Sequence, residues 1–137
     1  MRLAEVRNVV ALLALATVLA VFVGCEAKPS TVSGKVTIDG KPVPRGGITF
    51  LPFDGDGPTA AGTIRNGEYS AEVFPGKKRV EILGYEVVGQ VPAYGDPKGP
   101  MKDVTKAVVP PKYNQHSDLT AEIQVGNNDI NFELDSK

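Results

Sequence analysis

The stretch TAAGTIRNGEYSAEVF, residues 59–74, contains the strongest hairpin signal in the chain. Asn66 and Gly67 suit a two-residue type I′ turn, because both residue types tolerate a positive φ. After this turn Tyr69, Ala71 and Val73 alternate with polar residues, so their side chains share one face of a strand. The stretch therefore predicts two antiparallel strands, at residues 59–64 and 68–74.

The same period of two continues on both sides of this hairpin. Gly126-Asn127-Asn128 separates the last two alternating runs, which predicts a hairpin near the end of the chain. No helical period occurs after residue 25, so we expect an all-β fold: a seven-stranded antiparallel β-sandwich of two packed sheets. The five further strands are predicted at residues 31–38, 47–53, 78–88, 119–125 and 130–134.

The start of the chain has a different composition. Arg2 and Arg7 outnumber Glu5, and an apolar run follows at residues 9–23. This order is typical of a secretory signal peptide. As a helix the run would span roughly 22 Å, which is less than the ~30 Å hydrocarbon core of a bilayer. A signal peptide is therefore favoured over a permanent transmembrane span.

The apolar run ends in VFVGC, residues 21–25, which resembles the lipobox of bacterial lipoproteins, although Phe22 stands where leucine is usual. The resemblance implies cleavage between Gly24 and Cys25, and a thioether from Cys25 to diacylglycerol, with acyl chains such as palmitate. We therefore expect residues 1–24 to be the signal peptide and residues 25–30 a lipidated cysteine with a short tether. An uncleaved anchor, or an ordinary secretory signal with an incidental cysteine, is the alternative.

Composition limits the classes of function. The formal net charge is −1, and charges of both signs are interspersed, so the chain lacks the basic patch that nucleic-acid binding requires. Cys25 is the only cysteine, which excludes an intrachain disulfide. The expected partners are a membrane, through the N-terminal lipid, and an envelope protein or glycan, with no nucleic acid.

A family resemblance follows from the order of several short motifs. VSGKVTIDGKPV, GITFLP, NGEY, PG and PKYN begin at residues 32, 47, 66, 75 and 111, and the last two strands follow them. In this order the motifs resemble bacterial carboxypeptidase-regulatory-like lipoproteins. The resemblance implies a transthyretin-like (prealbumin-like) Greek-key sandwich over residues 31–137. Lys78 departs from the aromatic residue that the family usually has there.

The residues that could support catalysis are few. His116 is the only histidine, and Ser117 and Asp118 follow it directly. Neighbouring residues in a loop rarely converge in the geometry of a catalytic triad, so we expect an exposed loop and no catalytic residue. Asp54 and Asp56 could bind calcium, but this ion takes six to eight ligands and only two carboxylates are local. We therefore expect an acidic turn, and neither a metal nor a cofactor.

Residues 89–104 contain three glycines and three prolines, and we expect them to form a long loop without a regular strand. Tyr94 and Met101 supply apolar surface in this loop, so it is either a partner contact or a variable loop. Lys112, Tyr113 and His116 are further candidate contact residues, although packing over one end of the sandwich is the favoured role of Tyr113.

These observations favour a membrane-anchored envelope lipoprotein with a non-enzymatic interaction module. The alternatives are an envelope hydrolase or metal-dependent enzyme, whose site would form only in three dimensions, and a purely structural spacer.

Overall fold

The computed structural model describes residue 24 and residues 26–137, and this part of the chain is β-rich. Two short 3₁₀ turns, at Ala93–Gly95 and Pro111–Tyr113, interrupt the strands. Except for Gly24, which is exposed, the predicted signal peptide and Cys25 lie outside the described residues. The strands are β1 (Ser30–Ile38), β2 (Lys41–Pro42), β3 (Arg45–Pro52), β4 (Ala60–Arg65), β5 (Glu68–Val73), β6 (Gly76–Pro92), β7 (Met101–Ala107), β8 (Thr120–Ile123), β9 (Asn127–Asp129) and β10 (Phe132–Leu134).

The strands form one continuous curled sheet in the order β10-β1-β5-β4-β3-β6-β7. β2 pairs with β1, β8 pairs with β6, and β9 also pairs with β1. The predicted all-β class is confirmed. The expectation of purely antiparallel pairing is wrong at one place, because β9 and β10 run parallel to β1.

The predicted central hairpin is confirmed. Arg65 of β4 pairs with Glu68 of β5, and the two residues between them have φ angles of 51° and 78°. These values are those of a type I′ turn, whose twist matches that of the flanking strands. A Cβ on Gly67 would lie only 2.6 Å from the Pro42 side chain. Glycine is thus required at this position for both its φ and its size.

The core lies inside the curl and is built from the inward-facing residues of nearly every strand. Phe50, Tyr69 and Phe132 form an aromatic row across it, with ring centroids 6.2 Å apart in each pair. The Tyr69 hydroxyl donates a 2.7 Å hydrogen bond to the Ile130 carbonyl, which satisfies its polar end. Around this row lie the largest fully buried aliphatic side chains: Ile48, Ile64, Ile82, Ile123, Val32, Val36, Val43, Val73 and Val80.

The predicted hairpin near the end of the chain does not form. β8 pairs with β6, whereas β9 and β10 pair with β1. Gly126, with φ of 101°, redirects the chain between them. The Asn128 side chain stabilises this bend, since its amide exchanges two 2.9 Å hydrogen bonds with the backbone of Gln124. Alternation predicted which face of each strand is buried, but not which strand would be its partner.

Residues 89–104 also differ from expectation. They were predicted to lack a regular strand, but β6 continues to Pro92, and β7 begins at Met101 and pairs with it. A register shift between Val87 and Gly89 leaves Val88 as the extra residue of a β-bulge, and Gly89 pairs with Val104. Pro92 is the last residue of β6, where the absence of a backbone N–H on proline disturbs the strand pairing little.

Within the described residues, no helix has the length and apolar character needed to cross a membrane.

Candidate functional site

The second half of β6 leaves the body of the sheet. Pairing between β3 and β6 ends at Arg45 and Tyr85, and beyond this point only β7 accompanies β6. We call residues 85–107 the arm, and the rest of the described chain the body. At about 3.3 Å per residue, the strand runs roughly 23 Å from Tyr85 to Pro92. The arm is therefore a two-stranded ribbon that projects from the body.

The arm carries most of the exposed apolar surface. Of the ten large hydrophobic side chains exposed among the described residues, seven lie on the arm and an eighth, Leu83, lies just before it. Exposed apolar side chains that are concentrated in one segment in this way indicate an interaction site. The seven are Tyr85, Val87, Val88, Val91, Tyr94, Met101 and Val104.

The tip of the arm is closed by its own hydrogen bonds. The Ala93 N–H donates to the Pro100 carbonyl at 2.8 Å, and Asp96 accepts from the Gly99 and Lys98 N–H groups, both at 2.9 Å. Tyr94 lies between these contacts, has a φ of 60°, and is fully exposed. The tip thus presents an aromatic ring on an ordered turn.

Polar contacts attach the arm to the body. A guanidinium nitrogen of Arg45 lies 3.3 Å from one Asp103 carboxylate oxygen. The other carboxylate oxygen of Asp103 accepts a 2.8 Å hydrogen bond from the Gln90 side chain. Gln90 and Asp103 pair with each other five residues beyond Tyr85 on β6, whereas Arg45 pairs with Tyr85 itself. The contacts therefore link β3 to both strands of the arm and require the ribbon to curl toward β3.

The arm and the N-terminal tether lie at opposite ends of β6. Ser30 pairs with Val73 and accepts a hydrogen bond from the Gly126 N–H. Val73 is three residues before Gly76, and Gly126 is three residues after Ile123. Gly76 and Ile123 pair with each other at the start of β6. The start of β1 therefore lies beside the start of β6. β6 is 17 residues long, so the path along this strand from one end to the other is at most about 50 Å.

The remaining candidate contact residues lie on another segment. Lys112 Nζ lies 4.9 Å from the centroid of the Tyr113 ring and donates a hydrogen bond to the Lys137 carbonyl. The Tyr113 hydroxyl accepts a 3.0 Å hydrogen bond from the Asp135 N–H, and its ring packs on the core. His116 is exposed. Tyr94 and Met101 thus share the arm, whereas Lys112, Tyr113 and His116 follow it in the chain and do not join them.

The geometry around His116 is that of a structural turn. Ser117 is 4% exposed, and its hydroxyl donates to the Val80 carbonyl and accepts a 3.2 Å hydrogen bond from the Leu119 N–H. Its proton is thus directed at a backbone oxygen rather than at a base. Asp118 is exposed.

The two aspartates of the DGDG sequence form a small local turn. Asp54 Oδ1 accepts a 3.2 Å hydrogen bond from the Asp56 N–H, and both residues are exposed. In residues 24 and 26–137, no group of three or more His, Cys, Asp or Glu side chains is arranged to hold a metal ion.

No family model matches the chain, and no curated protein matches it. Among solved structures, the chain is similar to a DUF3823 family protein from Parabacteroides merdae, with 15% sequence identity and a TM-score of 0.42. The similarity covers 79% of this chain and 46% of that one, so the chain spans less than half the length of the protein it matches.

Proposed function

We propose that this chain is a lipoprotein of the bacterial cell envelope, and that its arm binds a protein partner without catalysing a reaction. Residues 1–24 are removed on export, Cys25 carries the lipid, and residues 31–137 form the interaction module outside the cytoplasm. The observation that carries this proposal is the concentration of exposed apolar side chains on the arm.

The position of the arm supports a partner that lies away from the membrane. Only residues 26–29 separate Cys25 from β1, and a tether of this length reaches less than ~20 Å. A lipid on Cys25 therefore places the Ser30 end of the body near the headgroups. The arm then lies at the other end of β6, up to about 50 Å along this strand from the anchored end.

The charge of the arm favours a protein over a polyanion. Three lysines and three acidic residues lie on it, so its formal charge is balanced. Neither nucleic acid nor an anionic bilayer is attracted strongly by such a surface. Apolar and aromatic side chains, with Tyr and Met prominent, are instead the composition of protein interfaces. The charged residues are Glu86, Asp96, Lys98, Lys102, Asp103 and Lys106.

We further propose that the body is a transthyretin-like sandwich of the carboxypeptidase-regulatory-like family. The order of the sequence motifs along the chain supports this assignment. The curled all-β sheet is compatible with it, while the parallel pairing of β1 with β9 and β10 is a departure from purely antiparallel strands.

The partner is tested by site-specific photocrosslinking in cells. Tyr94 is replaced by p-benzoylphenylalanine in the full chain, and Val125, which is 86% exposed near the anchored end, receives the same replacement as the matched control. We expect one defined protein adduct at position 94 and none of that mass at position 125. A Val91→Asp substitution should abolish the adduct, because it places a charge in the apolar contact. Absence of an adduct at position 94, or the same adducts at both positions, would contradict the proposal.

The anchor is tested separately by intact-mass analysis of the chain extracted from membranes. We expect a mass that begins at Cys25 and includes a diacylglycerol and an acyl chain. A chain with a free thiol, or one that retains residues 1–24, would show that the anchor is wrong while leaving the role of the arm open to the crosslinking test.

A further inference from the structure

Two arginines face each other on the outer surface of the sheet at the base of the arm. Arg45 of β3 pairs directly with Arg65 of β4, so both side chains project from the same face. Like charges at such positions repel each other unless an anion lies between them. They line a cavity of about 480 Å³, together with the side chains of Thr63, Asn66 and Tyr85.

One of the two guanidinium groups is already ion-paired. Arg45 is ion-paired with Asp103 at 3.3 Å, and this contact uses a single one of its nitrogens. Arg65 is exposed and, among the described residues, makes neither a side-chain hydrogen bond nor an ion pair. Glu68 is its register partner on β5, but no Glu68 oxygen lies within ion-pair distance of it. The cavity therefore contains a positive charge with unused donors.

We propose that this cavity binds an acidic saccharide through the carboxylate of a hexuronate. A guanidinium presents two parallel N–H donors that match the two oxygens of a carboxylate. Arg65 binds the carboxylate in this way, and Arg45, fixed by Asp103, supplies further N–H donors from the opposite side. The ligand belongs to a different chemical class from the protein partner of the arm. Tyr85 belongs to both sites, but binding of a saccharide to the isolated chain is measured without that partner.

The other residues that line the cavity favour a ligand with a sugar ring over a bare anion. Tyr85 is 39% exposed, so part of its ring is available to pack against the C–H face of a pyranose. Asn66 offers both a donor and an acceptor, and Thr63 offers a hydroxyl, which are the groups that bind sugar hydroxyls. Both residues are exposed at the mouth of the cavity.

The site is tested by calorimetric titration of the detergent-solubilised full chain with digalacturonate. Maltose, a neutral disaccharide, and inorganic phosphate serve as the two comparison ligands. We expect saturable binding of digalacturonate, no binding of maltose, and phosphate binding at least about tenfold weaker. No saturable binding of digalacturonate would overturn the proposal. Phosphate or maltose binding as tight as that of digalacturonate would also overturn it, because the site would then recognise charge alone or sugar alone.

Two matched arginine variants test whether digalacturonate binds in this cavity. Arg65→Gln should weaken digalacturonate binding by about tenfold or more, since a charge-assisted bidentate contact is lost. Arg79→Gln is the control, because Arg79 is ion-paired with Glu81 and lies outside the cavity. Both substituted positions are at least partly exposed, and unchanged circular dichroism verifies the fold. Equal affinities for the wild type and Arg65→Gln would place the ligand elsewhere and overturn the proposal.

Discussion

The body and the arm share one strand, β6, yet its two halves bury very different amounts of surface. In the body Val80 and Ile82 are completely buried, since β3 and β8 flank the strand and the core lies beneath it. On the arm Val87 and Val91 are 40% and 47% exposed. An isolated two-stranded ribbon is marginally stable in water, so the arm gains little from its own apolar residues. The apolar side chains of the body thus serve folding, whereas those of the arm are available for contact.

The largest difference between the two regions should appear when an aromatic side chain is removed from each. Phe50→Ala leaves a cavity in the body, where Phe50 is completely buried, and should lower the free energy of unfolding by about 3–5 kcal/mol. Tyr94→Ala on the arm should change it by less than about 0.5 kcal/mol, because this side chain is fully exposed. Urea unfolding measures both values. Similar losses in the two variants would show that the arm contributes to the core.

Two glycines of β6 provide a comparison at the junction and on the arm. A Cβ on Gly84 would lie 2.5 Å from a Val109 methyl group and 2.6 Å from one of Val43, so Gly84→Ala should cost about 1–3 kcal/mol. A Cβ on Gly89 would meet nothing within 4 Å, and its φ is not in the left-handed region. Gly89→Ala should therefore be neutral or slightly stabilising, by up to about 1 kcal/mol. Thermal unfolding measures the stability of both variants. A larger loss of stability in Gly89→Ala than in Gly84→Ala would contradict the boundary between the body and the arm at Tyr85.

The smallest effect concerns a tyrosine hydroxyl in each region. Tyr69→Phe removes the hydrogen bond to the Ile130 carbonyl and should cost about 1 kcal/mol at neutral pH. Burial raises the pKa of Tyr69, and the charge of Asp129 raises it further. In the unfolded chain the phenol ionises near pH 10, so the stability due to neutral Tyr69 is full below that pH and falls as the pH rises above it.

The pH dependence of unfolding tests the contribution of Tyr69. Unfolding measured between about pH 8 and pH 11 should show a shallower alkaline decline for Tyr69→Phe than for the wild type. Tyr94→Phe is the control on the arm, and it should change the free energy of unfolding at neutral pH by less than about 0.5 kcal/mol, because this side chain is fully exposed. An identical decline in Tyr69→Phe would mean that the folded state does not favour the neutral phenol.

Much of the body could be predicted from local sequence. Alternation located the strand at residues 31–38 and its buried face, and Asn66-Gly67 located the central hairpin together with its turn type. Both signals are local, since alternation reports a single buried face and the turn depends on two residues.

The arm and the partners of the last strands could not be predicted in this way. β7 has no buried face, so its sequence lacks the alternation that identifies a strand, and glycine and proline nearby indicated a loop. The pairing of β1 with β9 and β10 depends on residues from the two ends of the described chain. The juxtaposition of Arg45 and Arg65 likewise depends on strand register, which makes the cavity invisible in the linear sequence.

The parallel pairing of β1 with β9 and β10 has a consequence for the timing of folding. The Lys35 N–H donates to the Asn131 side chain, 96 residues further along the chain, at 2.7 Å. A strand translated early thus acquires its last neighbours only when residues 127–134 have emerged from the ribosome. Contacts between such distant residues form slowly because a long loop must first close. A nascent chain therefore cannot complete the pairing of β1 until residues 127–134 have been synthesised.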